Sequence, residues 1–164
     1  MRYKTPAGRG WPAGTGEFAM RRIRLALAGL AALFASPAAL AADADVLRQF
    51  GMHGRLALDC SRPYSQENPH IIYGVSPQGA ITRTLRMTPD LDGTFPMRNL
   101  RMLSPTTMQF DETGRQSELT ITVAKIDGKF RSWRSVRASG EVLIADGKFA
   151  NGGNPTQAFE KCNY

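Results

Sequence analysis

The chain has 164 residues, 42% apolar and 21% charged, with a formal net charge of +7 at pH 7 and two cysteines. Residues 1–41 hold six of the 21 basic residues and one of the 14 acidic ones, which leaves 15 and 13 in the remainder, a net of only +2. A nucleic-acid footprint needs basic residues clustered on one face of a strongly basic domain; residues 42–164 lack that balance, so nucleic acid is excluded as a partner.

Residues 1–19, with Pro6, Pro12, Gly8, Gly10, Gly14 and Gly16, read as a disordered upstream extension, and Met20 as an alternative start. Residues 20–41 then carry the pattern of a secretory signal peptide. Arg21, Arg22 and Arg24 precede an apolar run from Leu25 to Ala35, and Ala39-Leu40-Ala41 offers small residues for cleavage. An uncleaved anchor fits less well, because Ser36 and Pro37 interrupt the run and a spanning helix needs about 20 apolar residues. The flanks of Arg21-Arg22 match a twin-arginine signal poorly, and no cysteine stands at the cleavage point for a lipid anchor. The expected mature chain starts near Ala42, is periplasmic or secreted, and makes no stable membrane insertion after cleavage.

Residues 42–164 are of a size for one domain with its own core. In an oxidising compartment Cys60 and Cys162 are expected to pair. A reactive thiol pair would favour Cys-x-x-Cys spacing, and a zinc site would need more ligands than His53 and His70 can add. Neither a metal nor a cofactor is expected.

Asp43 to Phe50 reads as a short helix, with Asp43 or Asp45 as N-cap and Val46, Leu47 and Phe50 on one side. Segments rich in Ile, Val, Thr and Phe follow, separated by Ser-Pro, Thr-Gly, Asp-Gly and Ser-Gly turns. They predict strands at 55–60, 70–75, 80–88, 95–103, 106–112, 117–126, 129–137 and 141–150. Asp127-Gly128 suits a two-residue hairpin turn, which sets Ile126 against Lys129, Val123 against Ser132, Ile121 against Arg134 and Leu119 against Val136. On that register Leu119, Ile121, Val123, Phe130 and Val136 share one face, and Thr120, Thr122, Arg131, Trp133 and Arg137 the other. A three-residue Ala138-Ser139-Gly140 loop would then place Arg137 opposite Glu141 and Val136 opposite Val142. Asp-Gly-Lys-Phe recurs at 127–130 and 146–149 as reuse of one turn, too short for an internal repeat.

An antiparallel meander of eight strands protects its edges most simply by closing. The expected fold is therefore all-β, an eight-stranded antiparallel up-and-down barrel with a short N-terminal helix; a β-sandwich is the alternative. With its helical segment, its meander and its terminal Cys60–Cys162 tie, the chain resembles the calycins, the lipocalin-like small exported barrels. Where that family often has Gly-x-Trp in the first strand, this chain reads Gly54-Arg55-Leu56. The resemblance implies carriage of a small apolar or amphipathic ligand, or inhibition of a protease. A membrane-spanning barrel would need an apolar outer band, whereas the outward positions include Lys129, Arg131 and Arg137.

Two places are candidates for binding. Arg83 alternates with Ile81, Leu85 and Met87, and Arg134 with Phe130, Ser132 and Val136, so each arginine falls on an apolar face and needs a carboxylate partner or an anionic ligand; the bland reading has both heads reaching water at a barrel end. The polar connection from Cys60 to Pro69 offers Arg62 and Tyr64 as partner contacts, or is a turn whose Ser and Asn residues bond their own backbone. No Gly-x-Ser-x-Gly, His-Glu-x-x-His or phosphate-binding glycine loop occurs. Asp111, Glu112 and Glu118 flank Thr113-Gly114 and read as a solvated hairpin tip. The sequence points to a monomeric, non-enzymatic binding protein without catalytic residues, whose partner is a small apolar, amphipathic or anionic ligand, or else a protein met by the 60–69 loop.

Overall fold

A computed structural model describes residues 37–163. The expected extension, and the expected signal peptide as far as residue 36, lie outside the described residues. The elements are α1 (Pro37–Phe50), β1 (Gly54–Ala57), β2 (His70–Val75), β3 (Ile81–Arg86), β4 (Gly93–Ser104), β5 (Thr107–Thr113), β6 (Glu118–Ile126), β7 (Lys129–Arg137), β8 (Val142–Ala145), β9 (Lys148–Phe149) and β10 (Ala158–Lys161). Strands β1 to β7 pair in chain order, and β10 pairs with both β7 and β1. Eight antiparallel strands therefore form a closed barrel, and the sandwich alternative is excluded.

The closing strand is not the expected one. Residues 141–150 form a hairpin, β8 and β9, about Asp146-Gly147, whose φ angles of 49° and 70° match those of the Asp127-Gly128 turn at 51° and 78°. That hairpin lies outside the ring, paired to β7 through Ser135 and Val136. Closure comes from β10, which sets Phe159 against Phe130 on β7 and Leu56 of β1 against Lys161. The disulfide Cys60–Cys162 spans this seam, with a Cα separation of 5.4 Å.

Helix α1 begins six residues before the expected start, at Pro37, a residue suited to a first helical turn. Asp43 is accordingly mid-helix and caps nothing there. Its Oδ1 instead accepts the amide of Leu100 at 3.1 Å, an amide freed by a bulge in β4 between Arg98 and Arg101 where Asn99 has φ 56°. Burial pushes the Asp43 carboxyl up, against those amides. Gly51 and Met52 donate to the carbonyls of Arg48 and Leu47, a helix-end motif that joins the buried Leu47 and Met52. Asp43 is tied to β4 while Phe50, about 10 Å further along the helix, meets Phe130 of β7 at 5.6 Å between rings, so α1 crosses the barrel from one wall to another. Ala44, Leu47 and Phe50 join Met52, Leu56, Ile81, Met97, Leu100 and Met108 in one core.

The β6–β7 register is the expected one from Ile126–Lys129 to Val123–Ser132, then shifts at a bulge in β7, so that Thr122 faces Arg134, Ile121 faces Ser135 and Leu119 faces Arg137. The bulge has partners: Gly147 donates to the Trp133 carbonyl at 2.9 Å and Thr156 Oγ1 to the Ser132 carbonyl at 2.8 Å. Beyond it the faces swap. Ser135 points inward, and Arg134 and Val136 do not, contrary to the alternation read from sequence. The next loop is as expected: Arg137 accompanies Glu141, with side chains 3.0 Å apart, and Val136 pairs with Val142.

Candidate functional site

The side of the barrel interior away from α1 is hollow. A cavity of about 380 Å³ opens there, lined by Ile71, Leu85, Phe110, Ile121, Val123 and Phe159 inside, by Pro69 and Met87 from the β2–β3 side, and by Ile144 and Phe149 of the outer hairpin. Tyr73, Arg83, Ser132, Ser135, Thr156 and Gln157 contribute polar groups to the same walls. The volume falls within the range of small-molecule sites, as does the pattern of apolar walls with a few converging polar groups.

Arg83 is the inward guanidinium expected from sequence, and its partner is Glu112. Nε donates to Glu112 Oε2 at 2.5 Å and Nη2 to Oε1 at 2.8 Å, with 19% of the arginine side chain and 1% of the glutamate exposed. Glu112 is therefore not part of a solvated tip. It follows Met108 and Phe110 on the inner face of β5, and that alternation was the signal available in the sequence. The ring of Phe95 lies 5.1 Å from the guanidinium. It can do so because residue 93 is glycine: a Cβ there would come within 2.8 Å of Phe95 Cζ.

Tyr73, opposite Arg83 in the β2–β3 ladder, is 4% exposed. Burial, reinforced by Glu112 and opposed by Arg83, pushes its phenol up, so it stays protonated and available as a donor. Tyr73 and Ser135 were not singled out from sequence; Tyr73 alternates with Ile71 and Val75, whereas Ser135 reaches the cavity only because of the bulge. That bulge leaves Arg134 on the exposed outer surface, away from the cavity and from Arg83.

The 60–69 connection is ordered around Asn68, which is 1% exposed. Its Oδ1 accepts the Asp59 amide at 3.0 Å, and its Nδ2 lies 3.1, 3.2 and 3.0 Å from the carbonyls of Asp59, Arg62 and Pro63. His70 Nε2 is 3.1 Å from the Arg62 carbonyl, which makes it the donor there. Arg62 and Tyr64 project outward, Tyr64 with half its surface exposed and its edge toward His70. The Ser and Asn residues thus bond their own backbone, and the two proposed contacts stand on a braced loop.

Among the described residues no group of three or more His, Cys, Asp or Glu is placed to hold a metal ion, and no helix is long and apolar enough to cross a membrane. Comparison with protein-family models, with curated proteins and with solved structures finds no match to this chain.

Proposed function

We propose that this protein is an exported, non-enzymatic carrier that holds a small apolar or amphipathic ligand inside its barrel. The observation that carries this reading is the cavity of about 380 Å³, open at one end and walled mainly by apolar side chains. Export is supported by the Arg21-Arg22-Ile23-Arg24 start of an apolar run and by the Cys60–Cys162 bridge, which persists in oxidising compartments. Cleavage after Ala41 would leave Asp43, Ala44, Leu47 and Phe50, the helix residues that hold α1 to the barrel.

Native mass spectrometry of the protein purified from its own host tests the reading. The expected result is a bound small molecule that organic solvent releases, together with uptake of the uncharged fluorophore N-phenyl-1-naphthylamine that Ile121→Trp abolishes. A bare mass and no uptake would overturn it. A second reading, a protein-binding or protease-inhibiting surface at Arg62 and Tyr64, is favoured by the bracing of the 60–69 loop; inhibition in a protease panel, lost on Tyr64→Ala, is its expected result.

A further inference from the structure

We propose that the polar end of the cavity takes an uncharged, hydrogen-bond-accepting head group, such as a hydroxyl, ester or amide, and rejects carboxylates and phosphates. This deepens the carrier reading and rests on it. An inward arginine on an apolar wall first suggests an anionic ligand. Here the anion is built in. Glu112 takes the Nε–Nη2 edge of Arg83 through two hydrogen bonds, and Arg83 is the one charged residue among those lining the cavity. The pair is neutral as a unit, so a second carboxylate would leave the buried wall with a net negative charge.

Donors remain. Among the described residues Arg83 Nη1 and the Tyr73 hydroxyl have no hydrogen-bond partner, and both residues line the cavity, as does Ser135. The phenol is kept in its protonated, donating form by burial. Two donors on neighbouring residues of the paired strands β2 and β3, both lining the cavity, suit an acceptor oxygen that brings no charge with it. A cationic head would meet the guanidinium with no carboxylate lining the cavity to pair with, and is refused for the opposite reason.

The test displaces N-phenyl-1-naphthylamine from the purified full chain with decan-1-ol, decanoate and decyltrimethylammonium, which share one tail, at neutral pH. The alcohol is expected to displace at a concentration at least about tenfold below that of decanoate. A neutral head also enters any apolar hole more readily, so the deciding variant is Glu112→Gln, which uncovers the Arg83 charge and is expected to move the alcohol-to-decanoate ratio toward decanoate at least about tenfold. The paired variant Arg83→Met/Glu112→Leu retains an apolar wall if the single variant does not fold. It is expected to lose at least about fivefold in decanol affinity relative to its own affinity for the fluorophore. Decanoate binding as tightly as decanol in the wild type, an unmoved ratio in Glu112→Gln, or unchanged decanol affinity relative to the fluorophore in the paired variant would each overturn the head-group assignment and leave the carrier reading standing. Failure of the wild type to take up fluorophore or any of the three amphiphiles would overturn the carrier reading, and the assignment with it.

Discussion

Arg83 and Glu112 belong to strands that are not paired with each other. β4 runs between them, with Phe95 opposite Arg83 and Met97 opposite Glu112, and the two side chains meet over it inside the barrel at 2.5 and 2.8 Å. The pair thus ties three strands together, with Arg83 lining the cavity.

Its energetics follow from burial. Removing one partner strands a charge in the wall, so Glu112→Gln is expected to cost about 3 kcal/mol in urea denaturation, at the lower end of such losses because the arginine keeps 19% of its surface. Replacing both, as Arg83→Met/Glu112→Leu, is expected to restore stability to within about 1 kcal/mol of the wild type or above it. A paired variant no more stable than Glu112→Gln would mean that the ion pair itself holds the sheet.

The bridge at the seam is expected to matter more than its surroundings suggest. β1 and β10 pair at only two positions, Leu56–Lys161 and Ala57–Glu160, whereas the disulfide closes a loop of 102 residues separation. Loop-closure entropy at that length gives about 4 to 5 kcal/mol. Cys60→Ser/Cys162→Ser, or reduction of the wild type, should lower stability by about 2 to 5 kcal/mol; a loss under about 1 kcal/mol would mean that hydrogen bonding alone holds the seam.

Much of this fold is legible in the sequence because hairpin chemistry is local. Asp127-Gly128 and the Ala138-Ser139-Gly140 loop place their own strands in register, and Cys60 and Cys162 read as a tie before any topology is known. The bulge in β7 is not legible, since its cause lies in the Gly147 amide and the Thr156 hydroxyl, 14 and 23 residues downstream of Trp133. One inserted residue exchanges Arg134 for Ser135 on the inner face, so half of the arginine pair inferred from alternation moves to solvent. Glu112 was obscured in another way: its nearness to Thr113-Gly114 suggested exposure, and the period-two pattern with Phe110 spoke for burial. The closing strand, four residues Ala158–Lys161, is too short for a periodic signal and takes its identity from the two edges it joins.

His70 should make stability depend on pH. Burial, with the nearby Arg55 charge, holds its ring below the ordinary 6.5, while the Arg62 carbonyl acts the other way. The folded ring therefore stays neutral in a range where the unfolded one takes up a proton, so stability is full above about pH 6.5 and falls as pH drops below it. Urea midpoints should decline from pH 7.5 to pH 5, and His70→Gln should flatten that decline. The lowered carboxyls of Asp59 and Asp92 titrate from the ordinary 3.8 downward and lie outside this window. An equal decline in His70→Gln would assign the pH dependence to another group.

Asn68 is expected to be the residue on which the 60–69 loop depends. Asn68→Ala would leave the Asp59 amide and the Pro63 carbonyl without a partner, while the Arg62 carbonyl would keep only His70 Nε2 and the Asp59 carbonyl only the Arg62 amide. At about 1 kcal/mol for each lost bond, and more where the group stays buried, the expected loss is about 2 to 3 kcal/mol, with protease cleavage appearing between Cys60 and Pro69. Unchanged stability and unchanged resistance to proteolysis would show that the disulfide alone orders the loop.

The two Asp-Gly turns look alike in sequence and should respond differently to one methyl group. Gly128 and Gly147 both have positive φ, so alanine at either pays the left-handed penalty of about 1 to 2 kcal/mol. Gly128 has open space around it, whereas a Cβ on Gly147 would sit 3.2 Å from the Trp133 ring and 3.3 Å from Arg131 Cδ. Because Gly147 also holds the bulge through its amide and, by its carbonyl, the Thr156 hydroxyl, displacement there loosens the contact that turns Ser135 inward. Gly147→Ala is therefore expected to cost at least about 1 kcal/mol more than Gly128→Ala in parallel denaturation. It should also weaken fluorophore uptake, which Gly128→Ala should not. Equal losses, with uptake intact in both, would mean that the outer hairpin has no hold on the cavity wall.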